Sequence, residues 1–177
     1  APTDAGFVDG ALMGGLTQQR HKVPTLVSGS GADLFIERMA SCNMNLEKVS
    51  NKAGDAIAIK LVRSVYMKGE ATLQMEMLEA AYKLQVQDLV IDSISSSVNG
   101  KTFLNMMKFL VPASAIHAER QTHEMADCMV MLQELGITPT MTEATMKKLK
   151  WMADKKMKDK FGGKAPTDLM DVVNSCK

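Results

Sequence analysis

The sequence is short of the residues that staple a fold or stack on a ligand. Cysteine occurs three times in 177 residues, at Cys42, Cys128 and Cys176, with no C-x-x-C pair. An odd, scattered set excludes a disulfide framework and points to a reducing, cytoplasmic setting. His117 and His123 lie six apart and make no metal spacing with Cys128, so no metal is expected. Aromatic residues are 5% of the chain, with one tryptophan. The Lys-rich stretch Lys147–Lys164 therefore has no stacking platform beyond Trp151, and it reads as the solvated face of a terminal helix, broken by Asp154 and Asp159. Acidic and basic residues nearly cancel, leaving a formal charge of +1, so no global field favours nucleic acid. No apolar run is long enough to span a bilayer and no signal segment opens the chain. Neither a nucleic acid nor a membrane is expected as a partner.

What is abundant is methionine, 16 residues, within a hydrophobic fraction of 46%. That fraction suits a globular core, and methionine suits adaptable helix packing. Strand character is confined to the start: Phe7–Leu12 and Pro24–Ser28 read as strands, with a polar loop between them. Ala32–Ala40 reads as a short helix with Leu34, Phe35 and Met39 inward. From Gly54 the apolar residues take a helical period: Ile59, Val62, Tyr66, Leu73, Met77, Ala81 and Leu84 predict one helix over about Asp55 to Lys83. Further helices are predicted over Asp88–Ser96, Thr102–Leu110 and Ser114–Leu135, the last stopped by Gly136. Thr138-Pro139 has the N-cap and N1 pattern of a helix running to about Asp159. Thr167-Asp168 opens a last short helix through Val173. The fold class expected is mainly α with a short strand pair in front.

Two stretches carry chemistry. Lys60 lies on the otherwise apolar segment Ile57–Val62. It either snorkels to solvent or, if desolvated or near Arg63, takes and returns a proton near neutrality. Ser64 follows four residues later, on the same helix face. Earlier, Met13-Gly14-Gly15 follows a strand, and paired glycine N–H groups can hold a carboxylate or phosphate.

Gly54-Asp55-Ala56-Ile57-Ala58-Ile59-Lys60-Leu61-Val62-Arg63-Ser64 resembles the catalytic-helix signature of the β-hydroxyacid dehydrogenase and 6-phosphogluconate dehydrogenase-like superfamily, G-x-G-x-x-x-K-x-x-x-N. Gly54 and Lys60 match; Ala56 replaces the second glycine and Ser64 the asparagine. Asp9-Gly10-Ala11-Leu12-Met13-Gly14-Gly15 resembles that family's D-A-P-V-S-G-G, with Met13 for the serine. Thr25-Leu26-Val27-Ser28-Gly29 resembles its next strand. Aligned on Gly136, His123-Glu124 falls where many members carry Lys-Asp. The whole run looks closest to a branch whose C-terminal part is a phosphogluconate dehydrogenase-like domain of unknown function.

The resemblance implies an NAD(P)-dependent oxidoreductase acting on a hydroxy acid or similar CH–OH substrate. Lys60 would be the acid/base. Met13, Gly14, Gly15 and Ser64 would bind the small-molecule substrate, and Arg120 and His123 would lie on the cofactor side of the cleft. It also implies a helical domain, residues 32–177, that forms a homodimer, and a segment 1–31 left from the end of a Rossmann domain. A Rossmann turn itself is not found. The nearest run, Gly29-Ser30-Gly31-Ala32-Asp33-Leu34, has leucine for the third glycine. NAD or NADP is thus expected in a complete protein with an N-terminal Rossmann domain, and tight binding is not expected of this chain alone. The opening at Ala1, directly before a strand, fits the same expectation. The main alternative is a stand-alone helical dimerisation or binding module without catalytic activity; an imine reductase or related reductase on the same scaffold ranks lower, because such enzymes often replace the lysine that is retained here as Lys60.

Overall fold

In the computed structural model, residues 5–176 are described. The chain divides into two compact units, Ala1–Glu70 and Ala71–Lys177.

The first unit is built on a small sheet. Strand β1 (Asp9–Leu12) pairs antiparallel with β2 (Thr25–Ser28). Between them lie a single turn of helix, α1 (Leu16–Gln19), and a 3-10 turn, Arg20–Lys22. A third strand, β3 (Leu46–Ser50), runs parallel to β2 on its other side. The connection between β2 and β3 is helix α2 (Ala32–Met39), as a parallel pairing requires a crossover. The strand pair expected from the sequence is therefore three strands. β3 reads Leu-Glu-Lys-Val-Ser, with too few apolar residues to show a strand period. Its Lys48 is tied to Asp33 of α2 at 2.5 Å.

Ala11, Val23, Val27, Ala32 and Ala56 form the interior of this unit. Leu34 was expected to point inward. It is exposed, while Phe35 and Met39 are half-buried. The Gly29–Gly31 turn between β2 and α2 is occupied by the chain itself. Gly31 N–H donates to the Phe7 carbonyl at 2.9 Å, and Phe7 N–H donates to Ser30 Oγ at 3.1 Å. Gly29 has φ +111°, and a Cβ there would lie 2.3 Å from the Phe7 oxygen. These glycines serve the close approach of Gly6 and Phe7.

Helix α3 (Asp55–Lys83) has the bounds that its apolar period predicts. Its stripe is nevertheless not covered: Val62 is 72% exposed, and Ile59, Tyr66, Leu73 and Leu84 are exposed as well. Among the described residues, five helices follow. They are α4 (Gln87–Val98), α5 (Phe103–Glu134), α6 (Thr140–Asp154), the short α7 (Met157–Lys160) and α8 (Leu169–Asn174).

The two helices expected over Thr102–Leu110 and Ser114–Leu135 are one. Pro112 sits inside α5, and the helix continues through it. A proline costs a helix one hydrogen bond and a clash, but here it is buried in a long, packed element that overrides the local penalty. α5 ends as Gly136 predicts. Gly136 has φ +69°, its N–H donates to the Gln133 carbonyl and that of Ile137 to the Leu132 carbonyl, both at 2.9 Å. Ile137 also packs on Leu132 with Ala80. This is the two-bond Schellman ending with its apolar contact. α6 stops at Asp154, not Asp159, because Lys156 turns into the left-handed region at φ +53°. A second cluster joins Ala115 of α5, Met157 of α7 and Val172 of α8.

Candidate functional site

The residues singled out in the sequence fall in both units. In the first unit, the start of α3 is held by the sheet. Gly54, at φ +93°, lets the chain turn into the helix. The helix dipole and its unpaired N–H groups call for an acceptor at this end. Ile57 N–H donates to Asp9 Oδ2 at 3.0 Å, and Ala56 N–H donates to Ser28 Oγ at 3.1 Å. Ser28 Oγ in turn donates to Asp9 Oδ2 at 3.2 Å. Asp55, the first helical residue, accepts from Ser50 Oγ at 2.7 Å. Two neighbouring strands thus cap one helix. An N-cap of this kind is worth about 1–2 kcal/mol.

Ser28 and Ala56 are completely buried. This explains alanine at position 56, where any larger side chain would meet the packed sheet. Asp9 had been noted only as a motif match and Ser28 only as a strand end. Their role as caps is written 48 and 28 residues away from the helix they serve, beyond the reach of a local pattern.

Lys60 and Ser64 follow along α3, both half-buried. With Asp9 and Ser28 fixing its first turn, the helix carries Lys60 one turn beyond the anchored peptide groups. In the β1–α1 loop, Met13 is half-buried and its N–H donates to the Pro24 carbonyl at 2.7 Å. Gly14 is tight, since a Cβ would come within 3.0 Å of Gln19 Oε1 and 3.2 Å of Val23. Gly15 is open around its Cα and precedes α1.

In the second unit, Arg120 and His123 lie on the exposed side of α5. Arg120 pairs with Glu124 one turn on. Both line a hollow of about 380 Å³ together with His117 and Lys158. No group of three or more metal-ligating side chains occurs among the described residues. Among those residues no helix is long and apolar enough to cross a membrane.

The second unit holds a polar site that the sequence did not suggest. Glu76 of α3 is buried, with 8% of its surface exposed. Its carboxylate caps α6: Met141 N–H donates to Oε2 at 2.8 Å, and Thr142 N–H and Oγ1 donate to Oε1 at 2.8 and 2.6 Å. Burial pushes this carboxyl up, but the Thr142 hydroxyl and the N–H groups of Met141, Thr142 and Thr140 outweigh it. The carboxyl is held below its ordinary value. The cause lies in the N-cap. Thr138-Pro139 was read as N-cap and N1, whereas Pro139 itself occupies the cap and brings no acceptor side chain. Glu76 supplies it.

Comparison with known proteins fits this architecture. Residues 81–152 match the model of a domain of unknown function, DUF1932. The matched stretch takes in the end of α3, all of α4 and α5, and most of α6.

A curated relative, an uncharacterised 28.5 kDa protein in the 7S RNA 5′ region of Methanothermus fervidus, is 27% identical over 139 residues, 78% of this chain and 53% of the relative. Among solved structures, a conserved protein of unknown function, reported to be structurally similar to 3-hydroxyacid dehydrogenases, is 32% identical. The match covers 90% of this chain and 59% of that one, with a TM-score of 0.49. An imine reductase from Myxococcus stipitatus, in complex with NADP+, is 13% identical with a TM-score of 0.63, over 96% of this chain and 61% of that one. The chain therefore shares the fold of that imine reductase over nearly its whole length, and it spans about half the length of the curated relative it matches. The mainly helical fold class with a small leading sheet is as expected.

Proposed function

We propose that this chain is the substrate-side and dimerising part of an NAD(P)-dependent oxidoreductase that acts on a hydroxy acid or similar CH–OH substrate. The observation that carries the reading is the double cap on α3. It anchors the helix bearing Gly54, Lys60 and Ser64 to the strand bearing Asp9 and the Met13–Gly15 loop, the two stretches that match one dehydrogenase pattern. In this reading Lys60 takes the substrate hydroxyl proton on oxidation and returns it on reduction. Met13, Gly14, Gly15 and Ser64 line the substrate, with the Ser64 hydroxyl holding a substrate oxygen. Arg120 and His123 stand on the cofactor side.

NADP+ is bound in the imine reductase of similar fold, which supports NAD or NADP for the complete protein. The residues of this chain do not fit a dinucleotide. The Gly29–Gly31 turn, the one nearest to a dinucleotide fingerprint, has its backbone taken up by Gly6 and Phe7, and the nucleotide would belong to a further Rossmann domain. The test uses a form of the protein that contains such a domain. Oxidation of a panel of short 2- and 3-hydroxy acids is followed by nicotinamide absorbance at 340 nm. At least one acid is expected to be turned over with NAD+ or NADP+; no turnover with any member removes the reading.

The dimer has its own support. No residue of α4 is buried, and Leu89 is 73% exposed, with Ile91 and Ile94 also open. The chain exposes 12361 Å². Two compact bodies of these sizes, even standing wholly apart, would together expose about 10,000 Å² by the scaling of surface with mass. The difference is in the range one subunit gives up in a stable dimer. The α3 stripe and α4 are the surfaces offered to a second copy. Sedimentation equilibrium is expected to give twice the chain mass. A monomer at micromolar concentration would remove both this proposal and the alternative of a dimerisation module without activity.

A further inference from the structure

A larger hollow, about 480 Å³, adjoins the first and shares Ile116, Glu119, His123 and Lys158 with it; it lies among the middle of α5, the end of α6 and α7, entirely within the unit Ala71–Lys177. Its size is that of a pocket for a small metabolite. The floor is made of methyl groups: Ala115 and Ala118 of α5, Ala153 of α6 and the fully buried Met157. The rim is charged. Lys150 and Asp154 are 3.2 Å apart and answer each other. Four further charges, Lys156 and Lys158 against Glu119 and Asp159, form no ion pair among the described residues.

A simple anion in this hollow gains from two lysines and loses against two carboxylates; a simple cation meets the reverse. A molecule that carries both charges on an apolar body can set each pole against charges of opposite sign and its body on the alanine floor. We propose that the hollow binds a small aliphatic zwitterion, of the α-amino-acid kind. The proposal uses neither Lys60 nor Ser64; His123, which also lines this hollow, is the one residue it shares with the oxidoreductase reading.

The test titrates L-leucine into the 15N-labelled full chain and follows backbone amides by NMR. Two comparison ligands keep the body and remove one charge each: 4-methylvalerate lacks the ammonium and 3-methylbutylamine lacks the carboxylate. Leucine is expected to shift amides in residues 115–123 and 153–159, and to bind about fivefold more tightly than either, the scale of a rim ion pair. In Glu119→Gln, an exposed substitution without consequence for folding, the advantage of leucine over 4-methylvalerate should shrink while that over 3-methylbutylamine persists. Equal binding of all three ligands, shifts that map elsewhere, or no shift with leucine overturns the proposal.

Discussion

Replacing Lys60 by alanine, in a form of the protein that contains a nucleotide-binding domain, is expected to lower kcat by about 10²–10⁴-fold, the usual contribution of a positioned acid/base group. Stability should hardly change. Lys60 is half-buried on a helix whose anchors are Asp9, Ser28 and Asp55, and alanine is the better helix former. Lys60→Arg should not restore turnover, because a guanidinium stays protonated and cannot take a proton. Lys60→Met, which keeps the apolar stem, should be as inactive as alanine. Steady-state kinetics with thermal melts check both halves. A loss of less than tenfold in kcat would remove Lys60 from the chemistry, and a large fall in melting temperature would assign it to the fold.

The second large effect concerns Glu76. Glu76→Ala is expected to destabilise the unit Ala71–Lys177 by about 3–5 kcal/mol, since it strands two N–H groups and a hydroxyl that are partly or wholly buried, each costing about 1–3 kcal/mol when unpaired. Glu76→Gln keeps one acceptor oxygen and loses the charge, so about half of that loss is expected. Urea denaturation of the full chain, read by circular dichroism at 222 nm, measures both.

The pH dependence gives a separate signature. The folded carboxyl lies below its ordinary value, so the unfolded chain takes up the proton first. The stabilisation is complete above the unfolded value and disappears as pH falls through the folded one. The native protein should therefore lose stability on the acid side, and Glu76→Gln should lack that component. Equal acid slopes in the two proteins would show that the Glu76 charge has no part in holding α6.

How far the sequence could be read depended on whether the cause was local. The bounds of α3 followed from an apolar period and a glycine at its entrance, and the end of α5 from Gly136; both causes lie within a few residues of their effects. β3 escaped because Leu46–Ser50 is half charged or polar and gains its place only by pairing with β2. Pro112 suggested a break that the packing of α5 overrides. Lys60, Ser64 and the Met13–Gly15 loop were legible as a pattern. What joins their two segments, Asp9 and Ser28 at the head of α3, was not, because a cap taken from a distant strand leaves no trace in the helix's own sequence. The same holds for Glu76. Thr138 and Thr140 flank Pro139 and look able to serve, and only the structure shows that neither caps the helix and that the acceptor comes from α3.

The cap on α6 reaches across 65 and 66 residues of chain. A helix of 15 residues has little tendency to form alone in water, and this one begins with a threonine pair behind a proline, so its first turn has no early shelter of its own. Closing so long a loop carries an entropic cost, and the cap itself waits on Glu76 of α3. α6 should therefore gain its amide protection late in folding, after α3 and α5 have found each other, and should be among the first segments to exchange when the native state opens.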